Sequence, residues 1–206
     1  MKVYFIRHGE SEANALNIHQ GRDGKLSENG IRQAEILANR IAKLSIDFIL
    51  SSSYKRAGQT ANIINNTLQK EIKYSDLLIE RRHPPEIVGK TPSDPKSIKI
   101  RKTIDENYGK EGWRFSNEEA FKDLKERAFA VLQSISELKK ENIVVITHGA
   151  FLRLLLCTII FGEDITPQIH KKFIEHVHND NTGITLCEYT NNTWRLLTWN
   201  DLAHLG

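Results

Sequence analysis

The sequence is poor in cysteine, proline and aromatic residues, and neither sign of charge dominates it. Two of its 206 residues are cysteine, five are proline and 8% are aromatic. Two cysteines cannot supply the disulfide framework on which small secreted domains depend. Cys157 falls in an apolar helical pattern and Cys187 in a strand pattern, so both are expected as buried free thiols of a reduced, cytoplasmic protein. The balance of 29 Lys+Arg against 26 Asp+Glu leaves a net charge of +3, too mild to argue for nucleic acid as a partner. Long hydrophobic runs are missing as well. The longest, Leu154 to Phe161, is interrupted by Thr158 and is far too short to span a bilayer, so no membrane partner is expected. The opening MKVYFIRHGE turns charged too soon for a signal peptide. An ordinary glycine content and a charged fraction of 27% exclude collagen-like, low-complexity and largely disordered classes.

What is present is an alternation of strand and helix patterns. Lys2 to Ile6 reads as a strand rich in β-branched and aromatic residues. Ser27 reads as an N-cap, followed by Ile31, Ala34, Leu37, Ala38, Ile41 and Leu44 at helical spacing. Ile46 to Leu50 reads as a second strand, broken by Ser51, Ser52 and Ser53. Ala57, Ala61, Ile64 and Leu68 then mark a helix, and Ile72 to Ser75 a third strand. From Arg81 to Trp113 the pattern weakens around Pro84, Pro85, Pro92 and Pro95. This stretch is expected to be an irregular insertion with at most one short helix. The basic run from Lys96 to Lys102 within it reads as a solvated face.

The longest helical stripe runs from Phe121 to Leu138. Ile143 to Thr147 is a near-continuous apolar strand of the kind found at a sheet's centre. Ala150 to Phe161 is helical again, and Ile184–Tyr189 and Trp194–Trp199 read as a closing hairpin turning at Asn191-Asn192. The alternation implies an α/β layered sandwich in one domain, 1–206, with a cap insertion at about 81–115. The closing strands offer an edge that a homodimer could use.

Eight histidines make site chemistry worth seeking. Arg7-His8-Gly9-Glu10 follows the first strand, Arg56 lies six residues past the second, and His148-Gly149 follows the fourth. Ligands in open α/β sheets bind beyond the carboxyl ends of the strands, so these residues are expected to converge. Arginine forks match phosphate oxygens and stay charged at any working pH. A neutral imidazole can attack phosphorus while a second histidine stabilises the charge that spreads over the transferring oxygens. His176 and His178 near Asp180 lack a third ligand at metal-site spacing and read as a polar loop.

Four blocks carry a family resemblance: Arg7-His8-Gly9-Glu10-Ser11 with Asn14 and Gln20-Gly21; the serine-rich turn from Ser51 through Arg56 to Gln59-Thr60-Ala61; Leu78-Ile79-Glu80; and Val145-Ile146-Thr147-His148-Gly149. In this order they resemble the histidine phosphatase superfamily, which includes the cofactor-dependent phosphoglycerate mutases. The resemblance implies a three-layer α/β/α sandwich with a mostly parallel central sheet. It implies that His8 is the nucleophile, that Arg7, Arg56 and His148 hold the phosphoryl oxygens, and that Glu80 is the general acid and base, with nearby Glu86 as the alternative. Ser11, Asn14, Gln20, Gly21 and Gly149 would line the phosphate site, and neither metal nor cofactor would be required.

The same resemblance separates phosphatases from mutases. Glu80-Arg81 is retained, but the Tyr-Gly that follows in mutases is replaced by Arg82-His83-Pro84-Pro85, and Ala150 stands where mutases have asparagine. A phosphatase acting on a small phosphorylated molecule is therefore the expectation, with Arg81, Arg82, His83 and Lys90 choosing the substrate. A mutase, a phosphoprotein phosphatase and a non-catalytic phosphate-binding module are the alternatives.

Overall fold

In the computed structural model, which describes residues 1–206, side chains of the central strands alternate between two hydrophobic layers. Strand β1 (Lys2–Arg7) sends Val3 and Phe5 to one face of the sheet and Ile6 to the other. A short helix α1 (Glu12–Ala15) and helix α2 (Glu28–Ile41) follow, and the Ser27 hydroxyl caps α2 by accepting from Gly30 N–H. Strand β2 (Phe48–Ser52), helix α3 (Lys55–Leu68) and strand β3 (Ile72–Ser75) complete the first half. Helix α4 (Pro95–Asn107) lies in the weakly patterned stretch. Helix α5 (Phe121–Ser136), strand β4 (Asn142–Thr147), helix α6 (Gly149–Phe161), helix α7 (Pro167–His176) and strands β5 (Ile184–Thr190) and β6 (Thr193–Asp201) close the chain.

The six strands form one sheet in the order β3-β2-β4-β1-β5-β6. β3, β2, β4 and β1 run parallel, and β5 is antiparallel to both of its neighbours. Helices α2 and α3 cover one face, packing Leu37, Ile41, Ala57 and Ile64 on Ile6, Ile49, Val144 and Ile146. Helices α5 and α6 cover the other, packing Leu124, Val131, Phe151 and Leu155 on Val3, Phe5, Leu50 and Val145. Burial on both faces is why β4 reads as a continuous apolar run rather than an alternating one. The result is a mixed α/β fold with a six-stranded sheet between helical layers. Cys157 and Cys187 are buried free thiols. No helix is long and apolar enough to cross a membrane.

Five elements differ from the sequence expectation. β2 lies two residues later than expected, because Ser51 and Ser52 are fully buried and pair with Tyr74 and Ser75 of β3 instead of ending the strand. The stretch expected to be irregular holds the 13-residue α4, which Asp94 caps and Pro95 opens. Its Ile100 and Ile104 pack with Ile87 against Trp113 and Phe115 in a small core of their own. His176 lies in α7 rather than in a polar loop. The closing strands are longer than expected, and Asn191 and Asn192 turn between them at φ 49° and 58°.

Candidate active site

Two strand ends bring two histidines together. β1 and β4 are adjacent and in register, with Arg7 opposite Thr147, so the next residues, His8 and His148, leave the sheet side by side. Their rings lie 5.0 Å apart at 63°. Exposures of 2% and 0% put both imidazoles out of bulk water.

A backbone carbonyl fixes the tautomer of His8, and a serine hydroxyl meets His148. His8 Nδ1 lies 2.7 Å from the Gly9 carbonyl, which can only accept, so Nδ1 carries the proton and Nε2 keeps its lone pair. Arg56 Nε donates to that Nε2 at 3.1 Å, and Arg56 Nη1 donates to Gly21 O at 2.9 Å. Burial, then the charges of Arg56 and Arg7, hold the His8 pKa well below the ordinary histidine value, outweighing the Gly9 hydrogen bond. For His148, Ser52 Oγ lies 2.8 Å from Nε2. Tyr54 N–H donates to the same oxygen, and where the serine hydroxyl donates to Nε2, Nδ1 is the ring's donor. That Nδ1 is buried with no partner within the protein. Burial and then Arg56 hold His148 neutral as well.

Arg56 is 1% exposed, and burial lowers its pKa to about 10, which leaves it charged at neutral pH. Arg7 donates to Asn179 O at 2.7 Å, and its Nε is unpartnered. Gly149 is where Arg7 crosses α6, since a Cβ there would stand 3.2 Å from Arg7 Nε. Thr60 ties the loop after β1 to α3, accepting from Gly9 N–H and donating to Arg56 O.

Glu80 leaves the segment after β3 and meets the first turn of α6. Its carboxylate accepts from the N–H groups of Arg81 (2.9 Å), Ala150 (3.2 Å) and Phe151 (3.0 Å). Glu80, Arg7 and Gly149 line one side of a cavity of about 410 Å³, whose other wall comes from His83, Pro84, Ile87 and α4. Burial lowers the His83 pKa to about 4, so it faces the cavity as a neutral ring. Glu86 does not line the cavity.

Ser11 and Asn14 cap one another's backbone at the start of α1, and Asn14 Oδ1 lies 3.5 Å from Asn181 Nδ2. Gln20 Oε1 is buried without a partner, and Gly21 meets Arg56. Arg81 lines the cavity and pairs with Glu118 at 3.3 Å. Arg82 turns to Glu119 and Lys90 to Asp94, and neither reaches the cavity. Two residues at the site carry no local signal in the sequence, Asn179 beside Arg7 and Arg153 on the cavity wall, and Ser52 of the serine-rich turn stands behind His148. No group of three or more His, Cys, Asp or Glu side chains is arranged to hold a metal ion.

A Schizosaccharomyces pombe protein named a probable phosphatase is 30% identical over 208 residues, covering 100% of this chain and 95% of its own. A probable phosphoglycerate mutase of Yersinia pestis is 29% identical over 215 residues, covering 100% and 95%. A crystal structure of a histidine-to-alanine variant of Entamoeba histolytica phosphoserine phosphatase, in complex with phosphoserine, superimposes with a TM-score of 0.80 at 27% identity. It covers 99% of this chain and 98% of that one. Residues 3–202 match the family model for the histidine phosphatase superfamily, branch 1, and with two buried histidines and two arginines converging at its sheet ends this chain belongs to that family.

Proposed function

We propose that the protein is a phosphomonoesterase that hydrolyses a small phosphorylated molecule through a phosphohistidine formed on His8. The observation that carries this reading is the pairing of His8 Nδ1–H with Gly9 O, which leaves a neutral Nε2 as nucleophile. In the free protein Arg56 Nε–H occupies the Nε2 lone pair. An entering phosphoryl group takes that place, and Arg56, Arg7 and the Nδ1–H of His148 then bind its oxygens.

The Nε2 lone pair attacks phosphorus as the ester P–O bond breaks. Glu80 enters this step as the protonated acid, its carbonyl oxygen still accepting from Arg81 and Phe151 N–H, and the leaving oxygen takes its proton and departs as the alcohol. Water then enters in line, gives a proton back to Glu80 and attacks the phosphohistidine, which releases phosphate and restores His8. The arginines and His148 supply the positive charge and hydrogen bonds that the transferring group needs, so turnover requires neither metal nor cofactor. The names of the fission-yeast and Entamoeba relatives support hydrolysis, and the loss of the mutase Tyr-Gly after Arg81 is consistent with it.

The test is hydrolysis of p-nitrophenyl phosphate with excess EDTA by the wild type and by His8→Ala. Metal-independent turnover that is lost in the variant, with an acid-labile phosphoenzyme in the wild type, is the expected result. Hydrolysis that survives His8→Ala sinks the phosphohistidine route. Isomerisation of 3-phosphoglycerate without phosphate release would replace hydrolysis by mutase transfer.

A further inference from the structure

His8 Nδ1 meets the carbonyl of its own neighbour, Gly9, so the contact depends on the two torsions that flank the peptide between them, His8 ψ and Gly9 φ. Glycine turns about φ with little steric resistance, and nothing larger fits here, since a Cβ on Gly9 would stand 2.5 Å from Gly30 O. Side chains hold the peptide instead, at both of its polar groups. Its N–H, on Gly9, donates to Thr60 Oγ1 at 3.1 Å. Its C=O, on His8, accepts from Asn181 Nδ2 at 2.8 Å. A carbonyl can only accept, so the end of the Asn181 amide that faces it is the NH2. Asn181 is itself pinned on both sides in the turn before β5. Thr182, fully buried at φ 61°, donates its N–H to Arg7 O at 2.9 Å. Asp180 N–H donates to Asn200 Oδ1 at 2.9 Å, and Asn200 Nδ2 donates back to Asp180 Oδ2 at 2.7 Å.

We propose that Asn181 is a positioning residue for the nucleophile, clamping the His8–Gly9 peptide together with Thr60 so that Gly9 O stays on His8 Nδ1. This role rests on the phosphohistidine reading, because the residue that Asn181 positions is the nucleophile of that reading. Asn181 does not line the cavity and acts through the backbone. In the free protein the His8 ring has a second restraint, since Arg56 Nε–H donates to Nε2. Once a phosphoryl group takes the place of Arg56, the Gly9 carbonyl is the restraint that remains. A peptide free to rotate would carry Gly9 O away from Nδ1, and the ring would lose its in-line aim at phosphorus. Losing that aim slows attack without removing the contacts of Arg7, Arg56 and His148 to the phosphoryl oxygens, so rate and phosphate binding should separate.

The experiment reads the His8 Nδ1 proton by ¹H NMR, kcat/KM for p-nitrophenyl phosphate, and the Kd of inorganic phosphate. Buried and bonded at 2.7 Å, that proton should give a low-field, slowly exchanging signal, identified by its absence in His8→Ala. In Asn181→Ala the signal should move upfield and exchange faster by about tenfold, the size of one lost hydrogen bond. There kcat/KM should fall by about tenfold or more, while the Kd of phosphate changes by less than about threefold. Thr60→Val, which removes the other clamp, should act in the same way, and Thr60→Ser should recover most of what Thr60→Val loses. Asn181→Leu, close in shape and without a donor, gives the same readouts if Asn181→Ala does not fold. A wild type without the low-field signal would overturn the clamp. So would a variant that loses stability but keeps the signal and the rate, or one that loses rate and phosphate affinity equally. If the wild type neither hydrolyses p-nitrophenyl phosphate nor forms a phosphoenzyme, the phosphohistidine reading fails by itself. The Nδ1 signal then still decides the clamp: movement in Asn181→Ala supports it, and an unmoved signal overturns it.

Discussion

Arg127 grips Glu119 with two prongs, Nε and Nη2 each 2.8 Å from a different carboxylate oxygen, and from there braces the segment that delivers Glu80. Its Nη1 donates to the carbonyls of Leu77 (2.9 Å) and Ile79 (2.8 Å), and its guanidinium stacks 3.8 Å over the Phe151 ring. The N–H of Phe151 is one of the three that hold the Glu80 carboxylate. Glu119 in turn accepts from Arg82 N–H. Arg127 thus fixes both sides of Glu80 without touching it.

Removing that brace should show in two separable quantities. Arg127→Met leaves Glu119, whose side chain is 3% exposed, as a buried charge without its main partner. The expected cost is about 3–5 kcal/mol, read as a lower urea midpoint. Adding Glu119→Leu should recover most of the stability. It should not recover kcat, which is expected to stay down by about tenfold or more because Glu80 is no longer positioned. Recovery of both together would show that Arg127 matters only to folding.

Gly9 and Gly149 should answer the same substitution in opposite ways. A Cβ on Gly9 would stand 2.5 Å from the backbone oxygen of Gly30, which cannot yield without moving α2. Gly9→Ala is expected to cost about 1–3 kcal/mol, as overpacked sites do. A Cβ on Gly149 meets only the ends of side chains, Arg7 Nε at 3.2 Å and Asn179 Oδ1 at 3.4 Å. In the first turn of a helix alanine is favoured over glycine by up to about 1 kcal/mol, so Tm should hold or rise in Gly149→Ala. Activity should fall about tenfold or more, since Arg7 is pushed from the phosphate site. Unchanged kcat/KM in this variant would argue that Arg7 does not bind the phosphoryl group.

How much of this could be read from the chain alone depends on how local each cause is. The sheet core was legible because alternation on β1 and continuous burial on β4 are properties of a few consecutive residues. Helices α4 and α7 left a local signal, Asp94-Pro95 and Thr166-Pro167, each an N-cap followed by proline at the first helical position. It was overshadowed by the weak apolar stripe of α4 and by the proline cluster. The end of β2 was obscured because three serines resemble a turn, whereas Ser52 is kept in the strand beside a histidine 96 residues away. Arg82 faces Glu119, 37 residues on, and Arg7 faces Asn179, 172 residues on. No pattern within one element encodes partners at such separations. Arg7, His8 and His148 were legible because they stand at or just beyond a strand end, and Arg56 because it lies in the first turn of the helix after β2.

Ser52 and Ser51 give a third test, since neighbouring hydroxyls have different duties. Ser52 Oγ bridges Tyr54 N–H and His148 Nε2, so Ser52→Ala frees the ring to take the other tautomer. A kcat lower by about tenfold is expected, together with about 1–3 kcal/mol of lost stability from the orphaned buried groups. Ser51 Oγ only donates to Ser52 O, and Ser51→Ala should leave kcat close to wild type. Equal kcat values for the two variants would remove His148 tautomer control from the mechanism. A histidine Nδ1 signal in ¹⁵N spectra that shifts in Ser52→Ala alone would support it directly.

Because the site hides its histidines, the stability of the fold depends on pH. His8 and His148 have folded pKa values well below the ordinary 6.5, chiefly through burial, and burial lowers His83 and His170 to about 4. In the unfolded chain all four take up protons near pH 6.5, while the folded protein does not, so the unfolded state binds more protons as pH falls. Their contribution is therefore complete above about pH 6.5 and is lost progressively as pH drops toward 4, each group adding up to about 1.4 kcal/mol per pH unit. Urea unfolding at pH 7.5 and at pH 5 should show a marked fall, and His170→Gln should shrink it, since that residue lies outside the phosphate site. The same shift separates stability from chemistry. A nucleophile that is already neutral at pH 6 gains nothing from further deprotonation, so the rate of phosphoenzyme formation should not rise with an apparent pKa near 6.5. A rise there that disappears in His8→Ala would mean that His8 is protonated in the free enzyme, contrary to its burial between two arginines.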